Sequence, residues 1–194
     1  MIAFSPTRLA AALAMAATAM SASAQTEVTA VLAGHAALST FTTVEAPKAA
    51  GPFFETAGKF NAANRQRTEV LNSIEGVTFV GDAKYPRKSG GTLPIKGQSV
   101  QGFSGIVSLG NAEFLALTDN GFGSKLNSQD ALLMVHNVKA DWAKGEVTRL
   151  KTTFLHDPDR KVPFAIQNEA TAERFLTGID FDPESIQVVG DEWW

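Results

Sequence analysis

The sequence predicts an all-β fold, and three observations carry that reading. Short runs rich in β-branched and aromatic residues recur along the chain, at Val77–Val80, Ile106–Leu109, Glu113–Thr118, Ala131–Val138, Val147–Leu155 and Ile186–Val189. The breaks between them hold turn formers: Gly110-Asn111-Ala112, a polar stretch with Asp141, Lys144 and Gly145, and Gly190-Asp191. Helical periodicity is sparse throughout. Antiparallel strands joined by short turns build a sandwich, a barrel or a propeller, and no exact internal repeat selects among them.

The part before Ile106 is less patterned outside Val77–Val80. Val28–Ala33 reads as a strand, and Ala46–Pro52, with prolines at 47 and 52, as a linker. Phe60–Leu71 is polar and reads as holding one helical turn. Pro86–Gly97, rich in Gly, Pro, Lys and Ser, reads as an exposed loop. The chain therefore divides into a leader over residues 1–24, an extension and linker over 25–75, and a β domain over 76–194.

The leader is a cleavable signal peptide by its three-part pattern. Arg8 supplies the positive charge, Leu9–Met20 the apolar stretch, and Ala22-Ser23-Ala24 the small-residue cleavage site. The apolar stretch falls well short of the roughly 20 residues that a permanent transmembrane helix needs. The leader resembles those of Gram-negative bacteria, so the expectation is a periplasmic or secreted protein, free of the membrane after cleavage. There is no cysteine, which removes disulfides, thiolate metal sites and cysteine nucleophiles from consideration. The net charge of −3 leaves no basic footprint for nucleic acid.

Polar residues cluster at the ends of the strand-like runs. Asp119-Asn120-Gly121 follows a good strand and reads first as a tight turn whose aspartate bonds its own backbone. Asn127-Ser128-Gln129-Asp130 follows closely. Asp180, Asp182 and Glu184 alternate, so an extended segment would put their carboxylates on one side. Such carboxylates repel unless a cation lies between them, and Ca²⁺ suits an all-oxygen donor set. The alternative is a solvated edge neutralised by Arg174 or Lys161, and Pro183 breaks the alternation. Gly102-Phe103-Ser104-Gly105 has the wrong spacing for a nucleophile elbow. His35, His136 and His156 show no metal spacing. His136 reads as a packed strand residue, and His156 is the one histidine to consider for proton transfer.

At these segments the sequence resembles the phytase-like esterase family, described by its esterase-like activity of phytase. The phrases that carry the resemblance are Gly102–Gly105, Leu117–Gly123, Asn127–Asp130, Leu155–Asp159, Pro163-Phe164 and Arg174–Ser185, and it runs from about Gly76 to the last residue. The resemblance implies a β-propeller-like domain, exported and associated with hydrolysis of phosphate esters or other esters. Looser similarity to propeller phytases implies Ca²⁺. On that picture Asp119, Asp180, Asp182 and Glu184 are the metal-ligand candidates. Asn120 and Arg174 are the substrate-binding candidates, with His156 and Arg174 the weak catalytic ones. Pairing of Arg174 with a neighbouring carboxylate is the equal alternative. Relatives implied by the resemblance are longer, and Gly190–Trp194 reads as a turn entering a further strand. The expectation is a partial domain: at roughly 40–45 residues per blade, the strand-rich part would build only the first blades of a propeller.

Three functions fit: a Ca²⁺-assisted hydrolase of small phosphate esters or esters, a non-catalytic periplasmic binding propeller, and a lactonase-type propeller. The leader gives the first test. Expression in a Gram-negative host should yield a mature protein whose first residue by mass spectrometry is Gln25; an exported chain still beginning at Met1 would contradict the cleavage reading.

Overall fold

The computed structural model describes residues 28–39, 41–61, 65–66 and 93–194. The chain divides into a unit over Met1–Ala33 and a unit over Gly34–Trp194. In the first, only residues 28–33 are described. They carry no strand, contrary to the expectation for Val28–Ala33, and Val28, Val31 and Leu32 are exposed. The expected signal peptide and the expected Val77–Val80 strand fall outside the described residues.

In the second unit the strands are β1 (Thr43–Val44), β2 (Thr56–Ala57), β3 (Phe60–Asn61), β4 (Arg65–Gln66), β5 (Ile95–Lys96) and β6 (Gln98–Ser99). They continue as β7 (Phe103–Gly110), β8 (Glu113–Thr118), β9 (Met134–Asp141), β10 (Glu146–Phe154), β11 (Val188–Val189) and β12 (Glu192–Trp193). The architecture is all-β, as expected. Its centre is an antiparallel four-stranded sheet in the order β10-β9-β8-β7, accompanied by two-stranded pairs. Among the described residues these sheets close into neither a barrel nor a propeller.

The turn residues make the central sheet. β7 passes to β8 through Asn111 and Ala112, both at positive φ (52° and 60°), after Gly110 at 85°. Positive φ at both central positions is the twist that a tight hairpin requires. β9 passes to β10 through a turn in which the Asp141 carboxylate accepts from the Ala143 and Lys144 amides and Gly145 takes φ 72°. β9 begins at Met134, not at the expected Ala131. Ala131–Leu133 leave the sheet to bond a later segment, with Leu133 N donating to Leu176 O and Gly178 N to Ala131 O.

Three local expectations are corrected. Residues 46–52 do not form a free linker: 3₁₀ turns at Lys48–Ala50 and Pro52–Phe54 bury Ala50 and Phe54 against Leu132 and Phe175. Phe60–Asn61 and Arg65–Gln66 pair as antiparallel strands where a helical turn was expected. The tail of the expected 86–97 loop forms β5, paired with β2, and residues 86–92 lie outside the described residues.

The end of β8 and the start of β9 are buried on both faces. On one face Leu115, Leu117 and Val135 pack with Ile186, Val107 and Leu155. On the other, Met134 packs with Val44, Val100, Leu38 and Phe154. His136 lies on this second face in a row Thr152–His136–Ala116–Ile106 set by strand register. It is fully buried, its Nδ1 is 2.9 Å from Thr152 Oγ1, and its ring lies 5.9 Å from that of Phe103. This is the packed strand histidine that the sequence predicted.

Burial first, and the charge of Arg149 second, push the His136 pKa down from 6.5 to about 4. The native state then binds fewer protons than the unfolded chain between those values. The stabilising term is whole above pH 6.5 and is lost as pH falls toward 4, amounting to about 3 kcal/mol. Denaturation from pH 7 to 4 should therefore show a shallower acid slope for His136→Gln than for the wild type; equal slopes would reject the assignment.

Candidate functional site

The site grows from the end of β8. Asp119 N donates to Gly102 O at 2.7 Å, extending the β7–β8 ladder by one step. The chain then turns. Asp119 Oδ1 accepts the Gly121 amide at 2.7 Å, and Gly121 sits at φ 98°, a conformation that favours glycine. This is the tight turn read from Asp-Asn-Gly. Asn120 is buried at its centre, and its amide donates to Asp182 Oδ1 at 3.2 Å, which ties the turn to the segment that follows residue 177.

Neighbouring residues brace the turn. Phe122 N donates to Ser128 Oγ at 3.2 Å, and the Ser128 hydroxyl donates to Ser124 O at 2.6 Å, 3.3 Å from Asn120 Oδ1. Asp130, fully buried, accepts the Lys59 amide at 2.8 Å and pairs with Lys59 Nζ at 3.6 Å. Burial raises the Asp130 pKa, with Lys59 opposing; burial lowers that of Lys59, with Asp130 opposing. Gln98 links the same turn to the N-terminal segment: its Nε2 donates to Phe54 O and Asp130 O, and its Oε1 accepts from Leu132 N. Lys59 and Gln98 were not legible as site supports: Lys59 lies in the stretch read as extension, and Gln98 stands between the expected 86–97 loop and the next strand-like run with no pattern of its own.

The expected acidic residues separate into two groups. Asp119 is half-buried, and its pKa is raised by that burial and by the nearby charges of Asp182 and Glu184, against the lowering effect of the Gly121 amide. Asp119, Asp182 and Glu184 thus share one locality. Asp180 is engaged elsewhere. Its Oδ1 accepts from Gln167 N at 2.7 Å, and its Oδ2 from the amide and hydroxyl of Thr177, each at 2.8 Å. The physical reason is a turn: the amides of Asp180 and Phe181 both donate to Thr177 O, so the run is not extended and its parity fails at 180.

Arg174, expected near substrate, is 2 % exposed and committed to carboxylates. Its Nε donates to Asp157 O at 3.0 Å, its Nη2 to Asp157 Oδ2 at 3.1 Å, and its Nη1 pairs with Glu169 Oε1 at 2.5 Å. The pairing alternative is the one the structure contains. For Asp157, burial acts to raise the pKa, but the Lys161 and Val162 amides and Arg174 outweigh it and hold the carboxylate below its usual range. His156 is partly exposed, stacks on Phe175 with ring centroids 5.5 Å apart, and lies 3.3 Å from Glu173 Oε2 through Nδ1. Lys161 pairs with Asp159, not with the 180–184 run.

Calcium takes roughly six to eight oxygens. Asp180 has one oxygen engaged by the Gln167 amide and the other by Thr177, and among the described residues no group of His, Cys, Asp or Glu is arranged to hold a metal. The donors as placed do not make a calcium cage.

Fold and site thus define an all-β chain whose polar strand-end loops converge beside one sheet. The family described as phytase-like, esterase-like activity of phytase, matches residues 98–194, from β6 to the last residue. The chain belongs to that family. No curated protein and no solved structure matches it.

The buried cation gives the local prediction. Arg174→Met should lower the melting temperature sharply, because it strands Asp157 in a buried position without its partner. Arg160→Ala, which loses only an exposed pair with Glu169, should leave it nearly unchanged. Similar losses in the two variants would remove Arg174 from its structural role.

Proposed function

We propose that this chain is an exported phytase-like hydrolase acting on phosphate esters or other esters, with its site where the turn at 119–121 meets residues 182–184. The observation that carries this reading is the bond from Asn120 N to Asp182 Oδ1. It brings two loops of the family-matched segment together and sets Asp119 beside two further carboxylates. The four-stranded sheet is read as one blade of a propeller-like domain, and the leader supports a periplasmic or secreted location.

In this reading Asp119 is the proton acceptor. Its raised pKa brings it closer to working pH, which is what general-base catalysis rewards. The Gly121 amide holds Oδ1, leaving Oδ2 to take a proton from the attacking water. That water adds to the ester carbon or phosphorus, the bond to the alcohol oxygen breaks, and the proton held by Asp119 passes to the departing alcohol, which returns Asp119 to its ionised form. The acidic surroundings favour neutral esters unless a cation offsets the charge of a phosphate, so the substrate class and the cation question are tested together.

Purified protein should hydrolyse p-nitrophenyl acetate or p-nitrophenyl phosphate, and Asp119→Asn should lower kcat by about 10²-fold. Parallel assays with EDTA, and with Ca²⁺ added back, decide whether a cation assists. Absence of turnover on either ester and on lactones, with and without Ca²⁺, would favour a binding protein and sink the enzyme reading.

A further inference from the structure

The two loops of the site meet at a point where no side chain fits. Gly178 is buried, and a methyl group on its Cα would collide with the Asn120 carbonyl oxygen and lie 2.6 Å from Ser128 Cβ. Neither neighbour can yield cheaply. The first is backbone, and Ser128 is fully buried with its hydroxyl bonded to the surrounding turn. Gly178 cannot retreat either. Its amide donates to Ala131 O at 2.9 Å, Thr177 bridges to Leu132, and Asp180 clamps Thr177 through amide and hydroxyl. Asn120 is held from both ends: its carbonyl rests against Gly178, and its amide donates to Asp182 Oδ1.

We propose that Gly178 is a positioning residue of the site: the space it leaves seats Asn120 so that its amide reaches Asp182, and this fixes Asp119 relative to Asp182 across the loop junction. The consequence for turnover rests on the hydrolase reading, whereas the geometric claim does not. A purely structural glycine would weaken the whole unit when substituted. A positioning glycine changes one junction and leaves the sheet intact.

Amide hydrogen exchange of the full chain separates these cases. In Gly178→Ala and in Asp182→Ala, the Asn120 amide should lose protection by about tenfold or more while the amides of the β8–β9 ladder keep theirs. The double variant Ser128→Gly/Gly178→Ala removes the Ser128 clash and leaves the Asn120 carbonyl in the way. It should show the same local loss, and it carries the test if the single variant does not fold. On whichever ester the wild type turns over, kcat should fall by about 10²-fold in each of these variants. Wild-type Asn120 protection in a folded Gly178 variant, or loss spread evenly over the β8–β9 ladder, would overturn the proposal. Absence of turnover in the wild type would overturn the hydrolase reading instead, and the exchange result would still decide the role of Gly178.

Discussion

Where the end of β8 runs beside the start of β9, both faces of the sheet are buried, so neither can be left to water. That double burial is the constraint on which the rest of the described structure depends. A solvated antiparallel sheet alternates apolar and polar residues, but Leu115, Ala116, Leu117 and Thr118 are all buried in succession. Covering both sides draws distant parts of the chain together. Val44 and Val100 come in over Met134, and Ile186 and Leu155 over Leu117 and Val135. The turn at 119–121 continues from β8 and the 182–184 run leads into Ile186, which covers β8, so the two loops of the site end up beside one another.

Charge inside the unit is handled in two ways. Around Arg174 it is neutralised: a buried guanidinium meets Asp157 and Glu169, and backbone amides complete the Asp157 carboxylate. Around Asp119 it is left unbalanced, with Asp182 and Glu184 adding like charge. The first arrangement holds the 155–178 segment in place, where Arg174 itself takes φ 48°. The second leaves like charges gathered beside the 119–121 turn. Both sit within the family-matched span.

Much of the sheet was legible in the sequence because its signals are local. The hairpin around Gly110-Asn111-Ala112 and the turn at Asp119-Asn120-Gly121 both follow from residues that tolerate positive φ or bond their own backbone. Residues 46–52 were misread because the burial of Ala50 comes from partners far along the chain, Leu132 and Phe175, which no local pattern reveals. The parity argument at 180–184 failed for a related reason. It assumed an extended run, while Thr177 draws Asp180 and Phe181 into a turn. Arg174 illustrates the general limit. A lone arginine in a sequence is equally a substrate clamp or a buried strut, and only the position of Asp157 decides.

Gln98 has a meaning beyond its contacts. Its side-chain amide donates to two backbone carbonyls and accepts from the Leu132 backbone amide, so it behaves as an extra peptide unit inserted between strands. Asparagine would fall short of those partners, and glutamate would arrive with no hydrogens to give. A single side chain thus works as a piece of surrogate backbone, joining the 3₁₀ turn at Phe54 to the loop behind the site where no strand runs.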